Sequence, residues 1–189
     1  GCFILGYGKL ELLSAAYTLG EFISPRDFSF ILTDTDCLSL ELSSPNGDID
    51  AIIKPSKKQE WESTVRNRFF PRDSSLEEQK RNGLLKIECL GTAVVALNPK
   101  VYAILNEDDG HLKLAHKGTS KRTNKLLFQH YYETLFQTKP KSIVNTGFRK
   151  DASGRVFQYE QTKSGLSPFY AKRLTDKSGI NTFPIRFQE

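Results

Sequence analysis

Two aspartates separated by one residue, Asp34 and Asp36, are the residues of this chain best suited to chemistry. Two carboxylates about 4 Å apart repel each other by roughly 4 kcal/mol at an effective dielectric of about 20, and something must offset that cost. A divalent cation can do so, and phosphoryl transfer uses such a cation to bridge phosphate oxygens. A solvated turn can also do so, because Asp and Thr are common turn formers. The triplet Asp34-Thr35-Asp36 alone leaves both interpretations open.

The segments on either side of the triplet predict where the two carboxylates lie. Residues 28–32 are rich in β-forming types, and residues 37–42 alternate apolar and polar side chains. These runs predict a β-hairpin with both carboxylates at its tip. Residues 9–19 have a broad apolar face at helical spacing, which predicts a helix that ends near Gly20.

The remaining periodicity predicts an α+β fold. Further helices are expected over 59–70, 75–83 and 125–137, and strands over 84–89, 92–97, 101–105, 112–115 and 155–161. Ser75 and Glu78 have the spacing of a capping box. Five residues of the last helix share helical spacing, and we expect them to be core rather than a base-stacking platform: Phe128, Tyr131, Tyr132, Leu135 and Phe136.

Charge is distributed unevenly along the chain. Residues 1–98 carry 11 basic and 14 acidic residues, whereas residues 99–189 carry 16 and 8. A basic second half is typical of a protein that grips a polyanion, although a solvated basic face would look the same. The three cysteines have no zinc-ligand spacing, which indicates free thiols, and no apolar run has the length of a bilayer span. We expect no membrane partner, no secretion, and a location in the nucleus or a cytoplasmic viral factory.

The segment from Phe30 to Cys37 resembles the third polymerase motif of family B DNA polymerases, YxDTDS. Here Leu32 stands in place of the Tyr and Cys37 in place of the Ser, while the Asp-Thr-Asp core is intact. In that family the motif lies at the tip of a hairpin in the palm domain. The resemblance implies that Asp36 is the direct metal ligand and that Asp34 is a nearby carboxylate with a weaker role.

Other segments match the protein-primed and Polinton-like branch of the same family, in the same order. Asn98-Pro99-Lys100-Val101-Tyr102 resembles the K-x-Y element that contacts primer-template DNA, and residues 116–124 resemble a Lys-Gly pair followed by a basic run. The tail segments 145–149, 159–161, 169–173 and 179–185 resemble the closing part of such polymerases. The DNA-contacting residues that the resemblance implies are Lys100, Tyr102, Lys117, Gly118, Lys121, Arg122, Lys172 and Arg173.

The resemblance implies a partial palm over residues 1–116 and a small, basic, thumb-like region over 117–189. The function it implies is template-directed DNA synthesis with Mg²⁺ in a two-metal mechanism. The implied partners are primer-template DNA and deoxynucleoside triphosphates, with a terminal priming protein as a further candidate. The family motifs DxxSLYPS and KxxxNSxYG are not found, so we expect the chain to be part of a larger polymerase and to be inactive alone.

Three alternatives stay open on the sequence. Leu32, Cys37 and the missing motifs favour a non-catalytic nucleic-acid-binding module derived from a degenerate polymerase. A metal-dependent nuclease would cleave DNA without any other chain, and a structural protein with a basic face would bind no nucleic acid even at low salt. We also expect self-association, because a partial palm sheet would have an unpaired edge.

Overall fold

The computed structural model describes residues 2–117, 120, 123–170, 172–178 and 182–185 of the 189-residue chain. The chain divides into two compact units, Gly1–Leu90 and Gly91–Glu189. Helices and small antiparallel sheets occur in both, so the predicted α+β class is confirmed. No helix among the described residues is long and apolar enough to cross a membrane.

The first unit contains three helices and one hairpin. They are α1 (Cys2–Phe22), β1 (Phe28–Asp34), β2 (Cys37–Leu42), α2 (residues 58–69) and α3 (Leu76–Lys80). Helix α2 has three segments: it is α-helical over Lys58–Glu60, π-helical over Trp61–Val65 and α-helical again over Arg66–Phe69. Short 3-10 turns at Pro45–Gly47, Asp50–Ile52 and Pro55–Lys57 connect the hairpin to α2.

The core of the first unit forms where the end of α1 meets α2. Leu19 and Phe22 of α1 are buried with Ile23, Ile53 and Trp61. The rings of Phe22 and Trp61 lie 5.6 Å apart. This packing explains why α1 continues past Gly20, where the sequence predicted its end: Phe22 gains its buried position from the extra turn.

A carboxylate ties α2 to the preceding loop. Asp50 accepts hydrogen bonds from Nε1 of Trp61 at 2.7 Å and from Nε of Arg66 at 2.8 Å. The guanidinium of Arg66 also donates to the carbonyl of Pro71 at 3.0 Å. The buried indole N–H and the half-buried guanidinium are both paired, as buried polar groups require.

Among its described residues, the second unit contains three small sheets and one helix. They are the antiparallel sheet of β3 (Ala93–Asn98), β4 (Val101–Leu105) and β5 (Leu112–Ala115), then α4 (Phe128–Gln137), the hairpin of β6 (Lys141–Lys150) and β7 (Val156–Leu166), and the pair β8 (Arg173–Thr175) and β9 (Thr182–Pro184). The core of this unit joins the β3–β4–β5 sheet, α4 and the β6–β7 hairpin. Its buried residues are Val95, Val101, Ala103, Leu126, Tyr131, Ile143 and Leu166. These residues lie on both sides of position 117, and the palm-to-thumb boundary predicted there stays a prediction.

Two helix predictions hold with shifted ends. The capping-box helix is confirmed as α3, where the Ser75 side chain accepts the N–H of Glu78 at 3.3 Å, while the N–H of Ser75 donates to Asp73 instead. The last helix begins at Phe128 rather than at Lys125, because Lys125 has a φ of 45°, outside the helical region. The side chain of His130 accepts the N–H of Leu127 and so caps the first turn.

Another expectation was wrong, and one holds only in part. Residues 84–89 form no strand, since no neighbouring strand pairs with them in the described chain, and Leu85 instead donates its N–H to the carbonyl of Phe69. The aromatic face of α4 is core only in part. Tyr131 is fully buried and Phe128 packs on the core, but Tyr132, Leu135 and Phe136 are exposed.

The buried Tyr131 should make the stability of the second unit sensitive to alkaline pH. Its hydroxyl donates to the carbonyl of Ala115 at 3.1 Å, and burial raises the pKa of Tyr131 to about 12 from 10.0. A raised pKa means that the folded state favours the neutral phenol, so this stabilisation is complete below about pH 10 and is lost as pH rises towards 12. Tyr131→Phe should cost about 1 kcal/mol at neutral pH through the lost hydrogen bond.

The same variant should lose less stability than the wild type between about pH 10 and pH 12. Urea unfolding at a series of pH values, monitored through the hydrogen exchange of amides in β4 and α4, measures the cost at neutral pH and the smaller loss at alkaline pH. Parallel stability curves for the two proteins across that range would contradict the prediction.

Candidate metal and nucleic-acid sites

The two aspartates of the triplet lie at the tip of the β1–β2 hairpin, as predicted. Asp34 pairs with Cys37 as the last pair of the ladder, and Thr35 and Asp36 form the connection. The N–H of Asp36 donates to the carbonyl of Asp34 at 2.8 Å, and Oγ1 of Thr35 donates to Oδ1 of Asp34 at 3.0 Å. Asp36 is exposed and Asp34 is half-buried, so the outer carboxylate is the more accessible one.

The backbone of Thr35 is strained. Its φ is 60°, a value that glycine adopts freely but that is uncommon for a β-branched residue. Tight two-residue hairpin turns need a positive φ at this position. Strain of this kind is often found at functional sites, where the surrounding structure holds an unfavourable conformation in place.

Replacing Thr35 by glycine should raise the free energy of unfolding of the first unit by about 1 kcal/mol, because glycine removes the strain. Trp61 is the single tryptophan of the chain and lies in this unit, so its fluorescence during urea unfolding reports the change. Thr33→Gly is the matched control: Thr33 pairs with Leu38 in the regular ladder, and glycine there should destabilise. A loss of stability in both variants would show that Thr35 is not strained.

The carboxylate oxygens of Asp34 and Asp36 are the ligand type of a hard cation that is also bound by ligands from outside the protein. Mg²⁺ is commonly bound by one or two carboxylates together with waters and substrate phosphates. Within the ranges that the structure describes, no group of three or more His, Cys, Asp or Glu side chains could hold a metal. Two carboxylates are too few to enclose a cation, so a Mg²⁺ bound by Asp34 and Asp36 would need further ligands from water or phosphate.

The K-x-Y element places its two residues in different surroundings. Lys100 is exposed in the turn between β3 and β4, where its φ is 66°. Tyr102 lies within β4 and is 6% exposed, between the buried Val101 and Ala103. Tyr102 is therefore part of the core of the second unit, and a DNA contact by its side chain stays a prediction.

The other predicted DNA-contacting residues are spread over the second unit. Lys117 is exposed just after β5, and Lys172 and Arg173 are exposed at the start of β8. Gly118, Lys121 and Arg122 lie outside the described residues. Asn124, among the described residues that follow, exchanges two side-chain hydrogen bonds of 2.8 Å with the main chain of Val144 in β6.

The β6–β7 hairpin is a candidate nucleic-acid surface that the sequence did not reveal. Ile143 and Leu166 bury its base in the core, but its outer part, residues 144–162, extends beyond that core. Four large apolar side chains are exposed there: Val144 at 39%, Phe148 at 74%, Val156 at 69% and Phe157 at 47%. We refer to residues 141–166 as the arm.

The outer end of the arm also carries basic residues. Arg149, Lys150 and Arg155 are exposed around its turn. Asp151 organises that turn by accepting hydrogen bonds from Oγ of Ser153 at 2.7 Å and from the N–H of Arg155 at 2.9 Å, which hold the pKa of Asp151 below its usual value. Exposed aromatic and cationic side chains together form the kind of surface that binds nucleic acid by stacking and phosphate contacts.

One face of the arm holds an arginine in a fixed position. The guanidinium of Arg149 lies 4.2 Å from the ring centroid of Tyr159. Gly147 is paired with Tyr159, and a Cβ atom at Gly147 would approach the ring to 2.9 Å. The missing side chain of Gly147 makes room for the ring, and the ring in turn supports the cation.

Comparison of the chain with protein-family models, curated proteins and solved structures gives no match. Function is therefore inferred from the residues and their geometry.

The division into units coincides with the division of charge. Residues 91–98 carry no charged side chain, so the first unit holds 11 basic and 14 acidic residues and the second holds 16 and 8. The carboxylate pair belongs to the acidic unit, and the arm belongs to the basic one. The first unit is therefore net negative, and the second is net positive.

Proposed function

We propose that this chain is part of a family B DNA polymerase of the protein-primed or Polinton-like branch, with a partial palm and a basic thumb-like region, and that the larger protein carries out template-directed DNA synthesis. The observation that carries the proposal is the position of Asp34 and Asp36 at the tip of an antiparallel hairpin that follows a long helix. This is the geometry that the polymerase motif implies.

In this proposal Asp36 is a ligand of Mg²⁺ and Asp34 is the neighbouring carboxylate. Mg²⁺ would supply charge that stabilises the developing negative charge on the phosphates of the incoming nucleotide. Two-metal phosphoryl transfer draws carboxylates from separate strands, and the hairpin provides one such set. This chain alone is therefore proposed to be inactive in synthesis, with the other set supplied by a further part of the polymerase.

The second unit is proposed to hold the primer-template DNA. Its net positive charge supports phosphate binding, and the exposed Lys100, Lys117, Lys172 and Arg173 are available as cationic contacts. The arm adds aromatic surface beside Arg149 and Lys150. Gly118, Lys121 and Arg122 complete the proposed DNA-contacting set by resemblance. The nucleus or a cytoplasmic viral factory is the corresponding location.

Metal binding at the hairpin tip tests this proposal. Mn²⁺ can replace Mg²⁺ as a probe, and its free concentration can be followed by electron paramagnetic resonance in the presence of primer-template DNA and a deoxynucleoside triphosphate. Asp36→Asn should weaken Mn²⁺ binding at least about tenfold, corresponding to about 1.4 kcal/mol. Asp108→Asn, at an exposed aspartate of the β4–β5 turn, should leave it unchanged. Equal Mn²⁺ affinity in all three proteins would reject the metal site.

A non-catalytic nucleic-acid-binding module is the second candidate function. The arm favours it, because exposed aromatic and cationic side chains bind nucleic acid without a metal. Leu32 and Cys37, which depart from the polymerase motif, favour it as well. This candidate predicts DNA binding that needs no divalent cation and is the same in the wild type and in Asp36→Asn.

A further inference from the structure

The N-terminal half of α1 has an apolar surface that the described residues do not cover. Positions 2–11 are all exposed, and the buried residues of α1 are Ala15, Leu19 and Phe22 near its other end. A helix that is apolar on all sides is typical of a buried element. Gly6 and Gly8 would weaken this half as an isolated helix in water. Burial of this surface against a partner would therefore stabilise the helix.

The exposed residues opposite the buried face of α1 follow a heptad pattern. Phe3, Leu10 and Tyr17 are spaced by seven residues, and Gly6, Leu13 and Gly20 each follow one of them by three. The four side chains of this stripe are between 56% and 81% exposed. A Cβ atom at Gly6 would meet nothing within 4 Å, and one at Gly20 would meet just the ring edge of Phe28 at 4.0 Å. Both glycines are thus open to a partner.

We propose that this stripe pairs with the same stripe of a second copy of the chain, with the two α1 helices antiparallel. In an antiparallel pair the two sets of heptad positions face each other. Phe3 then faces the partner's Gly20, Tyr17 faces the partner's Gly6, and Leu10 faces the partner's Leu13. Each large ring thus meets a glycine. A parallel pair would set ring on ring and glycine on glycine, leaving clashes beside voids.

The size of the surface agrees with a dimer. Phe3 and Tyr17 are 81% and 77% exposed, and an aromatic side chain offers roughly 150–250 Å² for burial. With Leu10 and Leu13, the stripe offers less than the roughly 800 Å² per partner of a standard interface, which is the size expected of a dimer that dissociates on dilution. The self-complementary order of rings and glycines makes a second copy the partner that this surface fits. The inference does not depend on the proposed polymerase function.

Sedimentation velocity of the whole chain over a range of micromolar concentrations tests the pairing. The wild type should form a dimer that dissociates on dilution. Leu10→Glu combined with Leu13→Glu should weaken the dimer at least about 100-fold, because the pairing would bury four carboxylates without partners. Leu76→Glu, at a leucine of α3 that is 74% exposed, should leave the dimer unchanged. A chain that stays monomeric at every concentration would overturn the proposal.

Gly6→Leu distinguishes the proposed antiparallel pairing from non-specific hydrophobic association. It also tests the dimer with a variant that should fold, in case the double variant does not. The added side chain has open space in the single chain and improves helix propensity, so folding should not suffer. It would fill the place of the partner's Tyr17 and should weaken the dimer about tenfold or more. Equal or stronger association of Gly6→Leu would overturn the antiparallel register.

Discussion

Replacing Arg149, Lys150 and Arg155 by glutamine should weaken duplex-DNA binding about 100-fold at about 0.15 M salt. Each cation that neutralises a phosphate adds about −0.9 to the slope of log K against log salt, so losing three should flatten the slope by about 2.7. The three side chains surround the turn of the arm, and Arg155 is 84% exposed at its side chain. Glutamine is shorter than lysine and arginine, but it stays polar and removes their charge. Fluorescence anisotropy with a labelled duplex over a salt series measures affinity and slope together.

The control for this experiment is the same substitution at three exposed basic residues of the first unit, Lys58, Arg72 and Lys80. It changes the net charge of the chain by the same amount. If binding depends on total charge alone, both triple variants should weaken it equally. If the arm contacts DNA, the arm variant should bind DNA more weakly and with a flatter dependence of log K on log salt. The control variant should show nearly the same affinity and the same slope as the wild type. Equal slopes in the wild type and the arm variant would rule out the arm as a DNA-contacting surface.

Replacing Trp61 by alanine should lower the free energy of unfolding of the first unit by about 3–5 kcal/mol, as large-to-small changes of buried aromatic residues do. Trp61 is 1% exposed, and its ring lies 5.6 Å from Phe22 and 6.0 Å from Phe70. The indole N–H also donates to Asp50. Since small domains are stable by only about 5–15 kcal/mol, this loss should remove a large share of the stability of the unit and lower its unfolding midpoint in urea.

Trp61→Phe separates packing from hydrogen bonding. It keeps an aromatic ring between Phe22 and Phe70 but removes the donor to Asp50, which retains its bond to Arg66. We expect a smaller cost, about 1–2 kcal/mol. Leu76→Ala, at an exposed leucine, should cost little. Amide hydrogen exchange in α1 and β1 follows the first unit without using tryptophan fluorescence, and equal protection in Trp61→Ala and the wild type would contradict the structure of this core.

These stability and binding experiments address different units of the chain. The core variants act on the unit that presents Asp34 and Asp36, while the arm variants act on the basic unit. A DNA-binding defect in the arm variant with normal protection of α1 would therefore be a property of the surface rather than of folding. A binding defect in Trp61→Ala would indicate that the hairpin unit also contributes to the DNA site.

Local elements could be predicted from the sequence because their signals lie within a few residues. The β1–β2 hairpin follows from two β-rich runs joined by a short turn, although its ladder continues two residues past the predicted end of β1, to the pair of Asp34 and Cys37. The strands β4 and β5 were predicted with their observed bounds, and the helix at Ser75 follows from its cap. A short turn brings its own two strands together, so no distant residue needs to be known.

The solvent exposure of each side chain was decided by the tertiary structure alone. Tyr102 and Tyr132 are both aromatic residues of regular elements, yet Tyr102 is 6% exposed and Tyr132 is 44% exposed. The sequence indicated short β-like runs in the arm, whereas the structure has strands of 10 and 11 residues. The strands are longer than predicted because their length comes from pairing with each other rather than from local propensity. The carboxylate pair could thus be found from the sequence, whereas the arm and the uncovered face of α1 could be found only once distant residues had been packed together, because burial depends on which elements meet.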